Sequence, residues 1–137
     1  MEEEFLNYDQ ALALKELGFN EPCFKGYTEE YKTLINFSNT HTNTSVKNTL
    51  PTKPFTAPLY QQAFKWFRDE YKLWFRPDYY DEIRDYFTGS IHKLGRFSAL
   101  YNLENYATAE ECESACIDEL IEMAKNEKTT NSKNWKE

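Results

Sequence analysis

One segment near the middle of the chain, between Pro58 and Tyr71, limits the possible folds more than any other feature. Its apolar line repeats every four residues, at Leu59, Ala63, Phe67 and Tyr71. Residues four apart lie on one side of an α-helix, so this side must be buried against other parts of the chain. Aromatic residues make up 17% of the sequence, and their large rings supply that buried area. We therefore predict a central core helix over this segment.

The predicted start of this helix lies at Thr56-Ala57-Pro58. The threonine hydroxyl can cap the first turn, and proline is tolerated there because its missing amide would have no helical partner. We expect the helix to run to about Tyr71.

A shorter helix is predicted over Tyr8 to Leu17, with signals at both ends. Asn7 can cap its first turn, and Gln10 stands three residues later in the capping-box position. Gly18 provides the left-handed residue that often follows a helix, and Phe19 can pack back on the last turn.

The last helix is predicted to begin at a capping box formed by Thr108 and Glu111. The apolar residues that follow share one face: Cys112, Ala115, Cys116, Leu120 and Met123. We expect this helix to end near Asn126, and we expect the polar tail over 127–137 to be disordered.

Strands are predicted in two further regions. Aromatic and β-branched residues between 23 and 37, broken by Gly26, suggest two short strands with a turn. A hairpin is predicted from the runs at 86–94 and 97–103, with Gly95 in the turn. The segment 79–85 fits either a strand, which we favour, or the outer face of a short helix.

These elements predict a single α+β domain over 1–126, in which a small antiparallel sheet packs against about three helices. The segment at about 38–55 is almost wholly Ser, Thr, Asn, Lys and Pro, so we predict a long polar loop there. Loops of this length tend to be functional or disordered.

Composition limits the cell setting and the partners. The chain has no run of about 18 apolar residues, and Met1-Glu2-Glu3-Glu4 is acidic where a secretory signal would be basic. We therefore expect a cytoplasmic protein with no membrane partner. The net charge of −7 disfavours binding to nucleic acid, because that affinity comes chiefly from Lys and Arg.

The candidate nucleophiles and metal ligands have simpler interpretations. Cys112 and Cys116 are one helical turn apart and could hold a metal together with Cys23, but their apolar helix face predicts core packing. His41 and His92 have no catalytic motif around them, and strand alternation places His92 opposite the core. We predict no catalytic residue, no metal site and no cofactor.

A group of acidic residues precedes the predicted hairpin: Asp78, Asp81, Glu82 and Asp85. Such a group could bind a divalent cation or supply paired carboxylates. No spacing typical of a calcium loop accompanies it, so a solvated face is favoured.

A basic stripe beside aromatic rings is the feature most suggestive of a ligand. Its residues follow steps of three and four: Lys65, Arg68, Lys72 and Arg76. They share a helix face if the helix continues that far, and Trp74 lies among them. A positive charge beside an exposed ring can hold a nucleotide by pairing with phosphate and stacking on the base. The competing interpretation, which we favour, is that the rings are core and the bases pair with neighbours such as Asp69 and Glu70.

Several stretches together suggest a family resemblance. They are Ala11 to Phe19, Glu21 to Phe24, Pro58 to Arg68 and Ala109 to Glu113. In these stretches the chain resembles a group of small uncharacterised proteins of bacteriophages and of Bacteroidetes genomes. The resemblance implies a phage or prophage origin and a host cytoplasm, and it transfers no site residue.

We therefore expect a small non-enzymatic accessory protein that binds a host or phage protein, with self-association open. The alternative is binding of a nucleotide or another small anion through the basic aromatic helix face. An enzyme is the least favoured function, because a nucleophile, a base and stabilising groups cannot be assembled from any motif in the sequence.

Overall fold

The computed structural model describes residues 4–49, 54–81, 86–95 and 99–134. The elements in chain order are α1 (Tyr8–Leu17), β1 (Cys23–Tyr27), β2 (Leu34–His41), α2 (Asn43–Thr49), β3 (Phe55–Thr56), α3 (Tyr60–Tyr71), β4 (Leu73–Asp81), β5 (Tyr86–Lys93), β6 (Tyr101–Tyr106) and α4 (Ala109–Asn134). The predicted α+β fold class is confirmed. No helix within the described ranges is long and apolar enough to cross a membrane.

The chain divides into two compact units, Met1–Gln62 and Ala63–Glu137. The boundary falls inside α3. The first unit holds a sheet in the order β2-β1-β3, and the second holds a sheet in the order β4-β5-β6. The described residues thus form two small sheets where the sequence predicts one. The single domain over 1–126 stays a prediction.

The sequence prediction for α1 is confirmed at both ends. The amide of Gln10 donates to Asn7 Oδ1 at 2.9 Å, and the amide of Asn7 donates to Gln10 Oε1 at 3.1 Å. At the other end Gly18 has a φ of +103°, and the amide of Phe19 donates to the carbonyl of Leu14 at 2.9 Å. These local bonds satisfy backbone groups that a helix end otherwise leaves unpaired.

The first sheet is centred on β1, which pairs antiparallel with β2 and β3. Its register with β2 shifts between Cys23 and Lys25, where β2 carries extra residues. At Gly26 an added Cβ would lie 2.3 Å from the Phe37 ring and 2.5 Å from the Phe55 carbonyl oxygen. The close approach of these neighbours therefore requires glycine at this position.

The prediction of a long polar loop at about 38–55 is wrong for the residues that the structure describes there. β2 continues to His41, and α2 follows almost at once. The amide of Ser45 donates to Thr42 Oγ1 at 3.1 Å, while Ser45 Oγ accepts from the amide of Thr42 at 2.9 Å. Short hydroxyl side chains thus cap a helix in a segment whose composition alone predicts a loop. Residues 50–53 lie outside the described ranges.

Asn43 joins α2 to the rest of the first unit. Its Nδ2 donates to the carbonyl of Phe19 at 2.7 Å, and its Oδ1 accepts from the amide of Thr56 at 2.8 Å. Because Thr56 belongs to β3, its predicted role as the cap of the central helix is wrong, and α3 begins only at Tyr60.

The predicted central helix is confirmed as α3, which buries Phe67 and ends at Tyr71. Lys72 then adopts a left-handed φ of 59°, and β4 begins at the next residue. A left-handed residue commonly ends a helix. The predicted helix face therefore does not extend to Lys72 and Arg76.

The second sheet is centred on β5, which pairs antiparallel with β4 and β6. One side of this sheet is apolar and carries the buried side chains of Leu73, Ile91 and Leu103. Lys93 lies on the same side as Ile91, because it is two residues further along the strand. Lys93 Nζ pairs with Glu127 of α4 at 3.4 Å, so α4 packs against this apolar side.

The predicted hairpin is confirmed as β5 and β6, and Gly95 at its turn has a φ of +88°. β6 covers 101–106 where the sequence predicts 97–103, and residues 96–98 lie outside the described ranges. The segment 79–85 is predicted as either a strand or a short helix. Its residues up to Asp81 form a strand, and 82–85 lie outside the described ranges.

The predicted start of α4 is confirmed, because the amide of Glu111 donates to Thr108 Oγ1 at 3.1 Å. α4 then continues to Asn134, so the predicted end near Asn126 is wrong, while the disorder expected for the tail stays a prediction. No Gly or Pro interrupts this stretch, and the Lys93–Glu127 pair holds its middle against β5. Residues 135–137 lie outside the described ranges.

Candidate functional site

The basic stripe predicted from the sequence is divided between two places. Lys65 and Arg68 lie on α3, where Lys65 Nζ pairs with Asp69 Oδ2 at 2.8 Å. Lys72 Nζ donates to the carbonyl of Asp69 at 2.9 Å. The hydrogen bond from Lys65 is the main cause that lowers the pKa of Asp69, and the charges of Lys65, Arg68 and Lys72 lower it further. These three bases therefore surround a carboxylate of their own chain.

The other two predicted site residues, Trp74 and Arg76, lie on β4. They are two residues apart, so their side chains point to the same side of the second sheet. Phe75 between them points to the other side, where its ring contacts that of Phe64, with centroids 5.2 Å apart. The alternation of β4 thus separates Trp74 and Arg76 from the apolar side that α4 covers.

Strand register brings three more polar side chains next to them. Ser90 of β5 pairs with Arg76 on one side and with Asn102 of β6 on the other, while His92 pairs with Trp74. Directly opposed residues in antiparallel strands have Cβ atoms about 4.5–5.5 Å apart. We call this set the polar face: Trp74, Arg76, Ser90, His92 and Asn102.

A hydrogen bond of 2.8 Å joins Ser90 Oγ and His92 Nε2 at the centre of the polar face. Ser90 is only 5% exposed, whereas Arg76 and Asn102 are exposed and Trp74 and His92 are half-buried. The direction of this bond depends on which nitrogen of the imidazole carries the proton. In either direction, the bond limits the rotation of the imidazole on β5, next to the strand that carries Arg76.

The chemistry of the polar face suits an oxyanion. Arg76 supplies a planar, permanently charged group of N–H donors, and the side chains of Ser90, His92 and Asn102 can add further donors. Trp74 adds an aromatic surface beside them. Charge-assisted hydrogen bonds to carboxylate or phosphate are among the stronger hydrogen bonds in proteins.

All three cysteines are buried. The predicted core packing of Cys112 and Cys116 is confirmed, because both are buried on α4. Burial raises the pKa of Cys23 to about 11, and it also raises the pKa of Cys116. A protonated thiol is neither a nucleophile nor a metal ligand.

His41 belongs to the first unit, and the acidic group lies only partly within the described ranges. His41 Nδ1 lies 3.0 Å from Ser45 Oγ, and its ring meets that of Phe37 edge-on. Asp78 and Asp81 lie on β4, and residues 82–85, which include Glu82 and Asp85, are outside the described ranges. Among the described residues, no three His, Cys, Asp or Glu side chains are placed to hold a metal ion.

A second surface lies at the end of the β5–β6 hairpin. Its apolar side chains are exposed: Leu94 by 59%, Leu100 by 39% and Tyr101 by 41%. The amide of Leu100 donates to the carbonyl of Ile91 at 2.8 Å, which holds this segment beside β5. We call these three residues the hairpin patch. Large apolar side chains that stay exposed can mark a surface that binds another protein.

The sequence interpretation missed Ser90 and Asn102. Ser90 carried a usable signal, because it stands two residues before His92 in a predicted strand and so shares its side. Asn102 carried none, because its place beside Ser90 depends on the register between two strands.

Comparisons with protein-family models, with curated proteins and with solved structures give no match. The resemblance to phage proteins therefore stays a prediction.

Proposed function

We propose that the protein binds a small oxyanion, such as a phosphate group, on the polar face of the second sheet. The observation that carries this function is the placement of Arg76 beside the hydrogen-bonded pair of Ser90 and His92. A guanidinium next to a hydroxyl and an imidazole offers several donors to one anion. No bond is made or broken in the ligand in this function, which agrees with the expectation of a non-enzymatic protein.

Local contacts must supply the affinity in this function. The net charge of −7 repels an anion at long range. Electrostatic attraction therefore does not speed the encounter between the protein and its ligand. Ser90 is nearly buried, and a donor shielded from water makes a stronger bond than an exposed one. We therefore expect binding that is specific for the polar face and modest in affinity.

The direct test is a titration of the full chain with inorganic phosphate at low ionic strength. We expect Arg76→Ala to weaken binding by at least about ten-fold, because a hydrogen bond to a charged group contributes about 1.5 kcal/mol or more. Arg68→Ala is the matched control, since Arg68 is also an exposed arginine but lies on α3 near Asp69. Equal loss in both variants, or saturable binding that neither variant weakens, would count against this function.

Protein binding, the function first expected from the sequence, is supported by a different observation. The hairpin patch exposes Leu94, Leu100 and Tyr101 on one short segment, and such a patch is stabilised when a partner covers it. The second candidate function is therefore binding of a protein through this patch, with a second copy of the chain as one candidate partner.

A pair of variants tests the hairpin patch. Leu94→Ser with Leu100→Ser removes most of its apolar surface, while Phe24→Ser removes a side chain that is 65% exposed on β1. If the patch binds a protein, complexes seen by native mass spectrometry are lost in the first variant and kept in the control. Complexes that survive the loss of both leucines would exclude the patch as the contact.

A further inference from the structure

We infer that the ligand of the polar face is a single nucleoside monophosphate, with its base against Trp74 and its phosphate on Arg76 and Ser90. This inference rests on the proposed binding of an oxyanion at the same face. It adds that a planar ring is recognised together with the anion.

The spacing along β4 supports two-part recognition. Trp74 and Arg76 occupy neighbouring same-side positions on one strand, which are about 6.6 Å apart. A sugar ring fills a gap of this scale between a base and a phosphate. A ligand that consists of an anion alone would leave the aromatic ring without a role.

The surroundings of Trp74 suit stacking. Its ring is half-buried, so part of its surface is fixed by the sheet and part reaches solvent. His92 is the residue paired with Trp74 on β5, and its side chain is bonded to Ser90. Base stacking on an aromatic side chain tolerates different bases, because every base has a π-face.

A mononucleotide fits the charge of this surface better than a nucleic-acid strand. Among the side chains of the polar face that the structure describes, Arg76 is the one permanent cation. Lys65 and Arg68 lie on α3 and Lys72 directly follows it, so these bases are not part of the polar face. Single-strand binding needs a groove of positive charge that follows several phosphates, whereas one phosphate needs one guanidinium.

The test compares four probes by calorimetric titration of the full chain: inorganic phosphate, ribose 5-phosphate, adenosine and adenosine 5′-monophosphate. We expect the monophosphate to bind about ten-fold tighter than ribose 5-phosphate, which is the scale of gain from one stacked base. Adenosine alone should bind weakest among the organic probes.

Two variants of one position isolate the ring. Trp74→Leu keeps an apolar side chain but removes the π-face, so the two sugar phosphates should then bind equally. Trp74→Phe keeps a ring and should keep most of the difference. Circular dichroism on both variants verifies that the sheet is intact, and if Trp74→Leu unfolds, the comparison of the four probes on the native chain carries the test.

The outcomes separate the two proposals. If phosphate and ribose 5-phosphate bind through Arg76 but the monophosphate binds no tighter, the nucleotide inference is wrong and oxyanion binding stands. If none of the four probes binds, both are wrong. If an adenine pentanucleotide binds more than ten-fold tighter than the monophosphate, the ligand is a strand and the inference of a mononucleotide is overturned.

Discussion

The two units of the chain use their polar side chains in different ways. In the first unit, polar side chains bind the backbone of other elements: Asn43 joins α2 to two distant segments, and Tyr27 Oη donates to the carbonyl of Leu6 at 2.8 Å. In the second unit, Ser90 and His92 bind each other on the sheet side opposite α4. Bonds to distant backbone hold the fold together, whereas a partly buried bond between the side chains of one strand leaves the neighbouring backbone ladder unchanged when a ligand replaces it. Asn43 and Tyr27 of the first unit therefore serve stability, whereas Ser90 and His92 of the second are placed to bind a ligand.

The largest expected effects come from the two cores, which should respond alike. Phe55 of the first unit and Phe67 of the second are both fully buried. We expect Phe55→Ala and Phe67→Ala each to lower the free energy of unfolding by about 3–5 kcal/mol, through lost burial and the cavity left behind. Chemical denaturation followed by circular dichroism measures both. A loss below about 1 kcal/mol in either variant would show that its ring is not part of a packed core.

The next effect should be specific to the first unit. Asn43→Ala leaves the carbonyl of Phe19 and the amide of Thr56 without their partner, and both residues are buried. We expect a loss of about 2 kcal/mol or more, because buried unsatisfied groups are costly. Asn43→Asp, which keeps the acceptor for the Thr56 amide, should lose less in the same denaturation experiment. Equal stability of the alanine variant and the native chain would show that the two bonds of Asn43 do not stabilise the first unit.

Helix caps should contribute equally in the two units. Asn7 caps α1 and Thr108 caps α4, each through a bond to the amide three residues later. We expect Asn7→Ala and Thr108→Ala each to cost about 1 kcal/mol. Thermal unfolding of the two variants side by side measures this. A difference of more than about two-fold would show that one helix depends on its cap far more than the other.

The smallest effect on stability should come from the polar face. Ser90→Ala removes the bond to His92, but the half-buried imidazole can bond to water instead. We expect the free energy of unfolding to change by less than about 1 kcal/mol, while phosphate affinity falls. A stability loss as large as that of Asn43→Ala would assign Ser90 a structural role and remove the contrast between the units.

Local sequence signals were sufficient for elements whose ends depend on neighbouring residues. Asn7, Gln10 and Gly18 determine both ends of α1 through bonds that span three to five residues, and Thr108 does the same for the start of α4. The hairpin of β5 and β6 followed from alternation and Gly95. Such features can be predicted from sequence because the partners are close together along the chain.

Features that depend on distant partners could not be predicted. α2 was predicted as loop because its Ser, Thr and Asn residues are typical of loops, yet Asn43 bonds to backbone 24 and 13 residues away. Of the polar face, the sequence points to Arg76 through a helix pattern and to Trp74 as a ring beside it, but the helix ends at Tyr71. Their true neighbours, Ser90 and Asn102, come from the register of three strands, which composition and periodicity do not encode.

The most direct test of the central claim is a phosphate titration of the full, ¹⁵N-labelled chain followed by two-dimensional NMR. Oxyanion binding at the polar face predicts saturable shifts centred on the backbone amides of Arg76, Ser90 and His92, with the amides of β1 and β2 unmoved and the shifts lost in Arg76→Ala. Saturable shifts centred instead on Lys65 and Arg68, or no saturable shift at any residue, would contradict it.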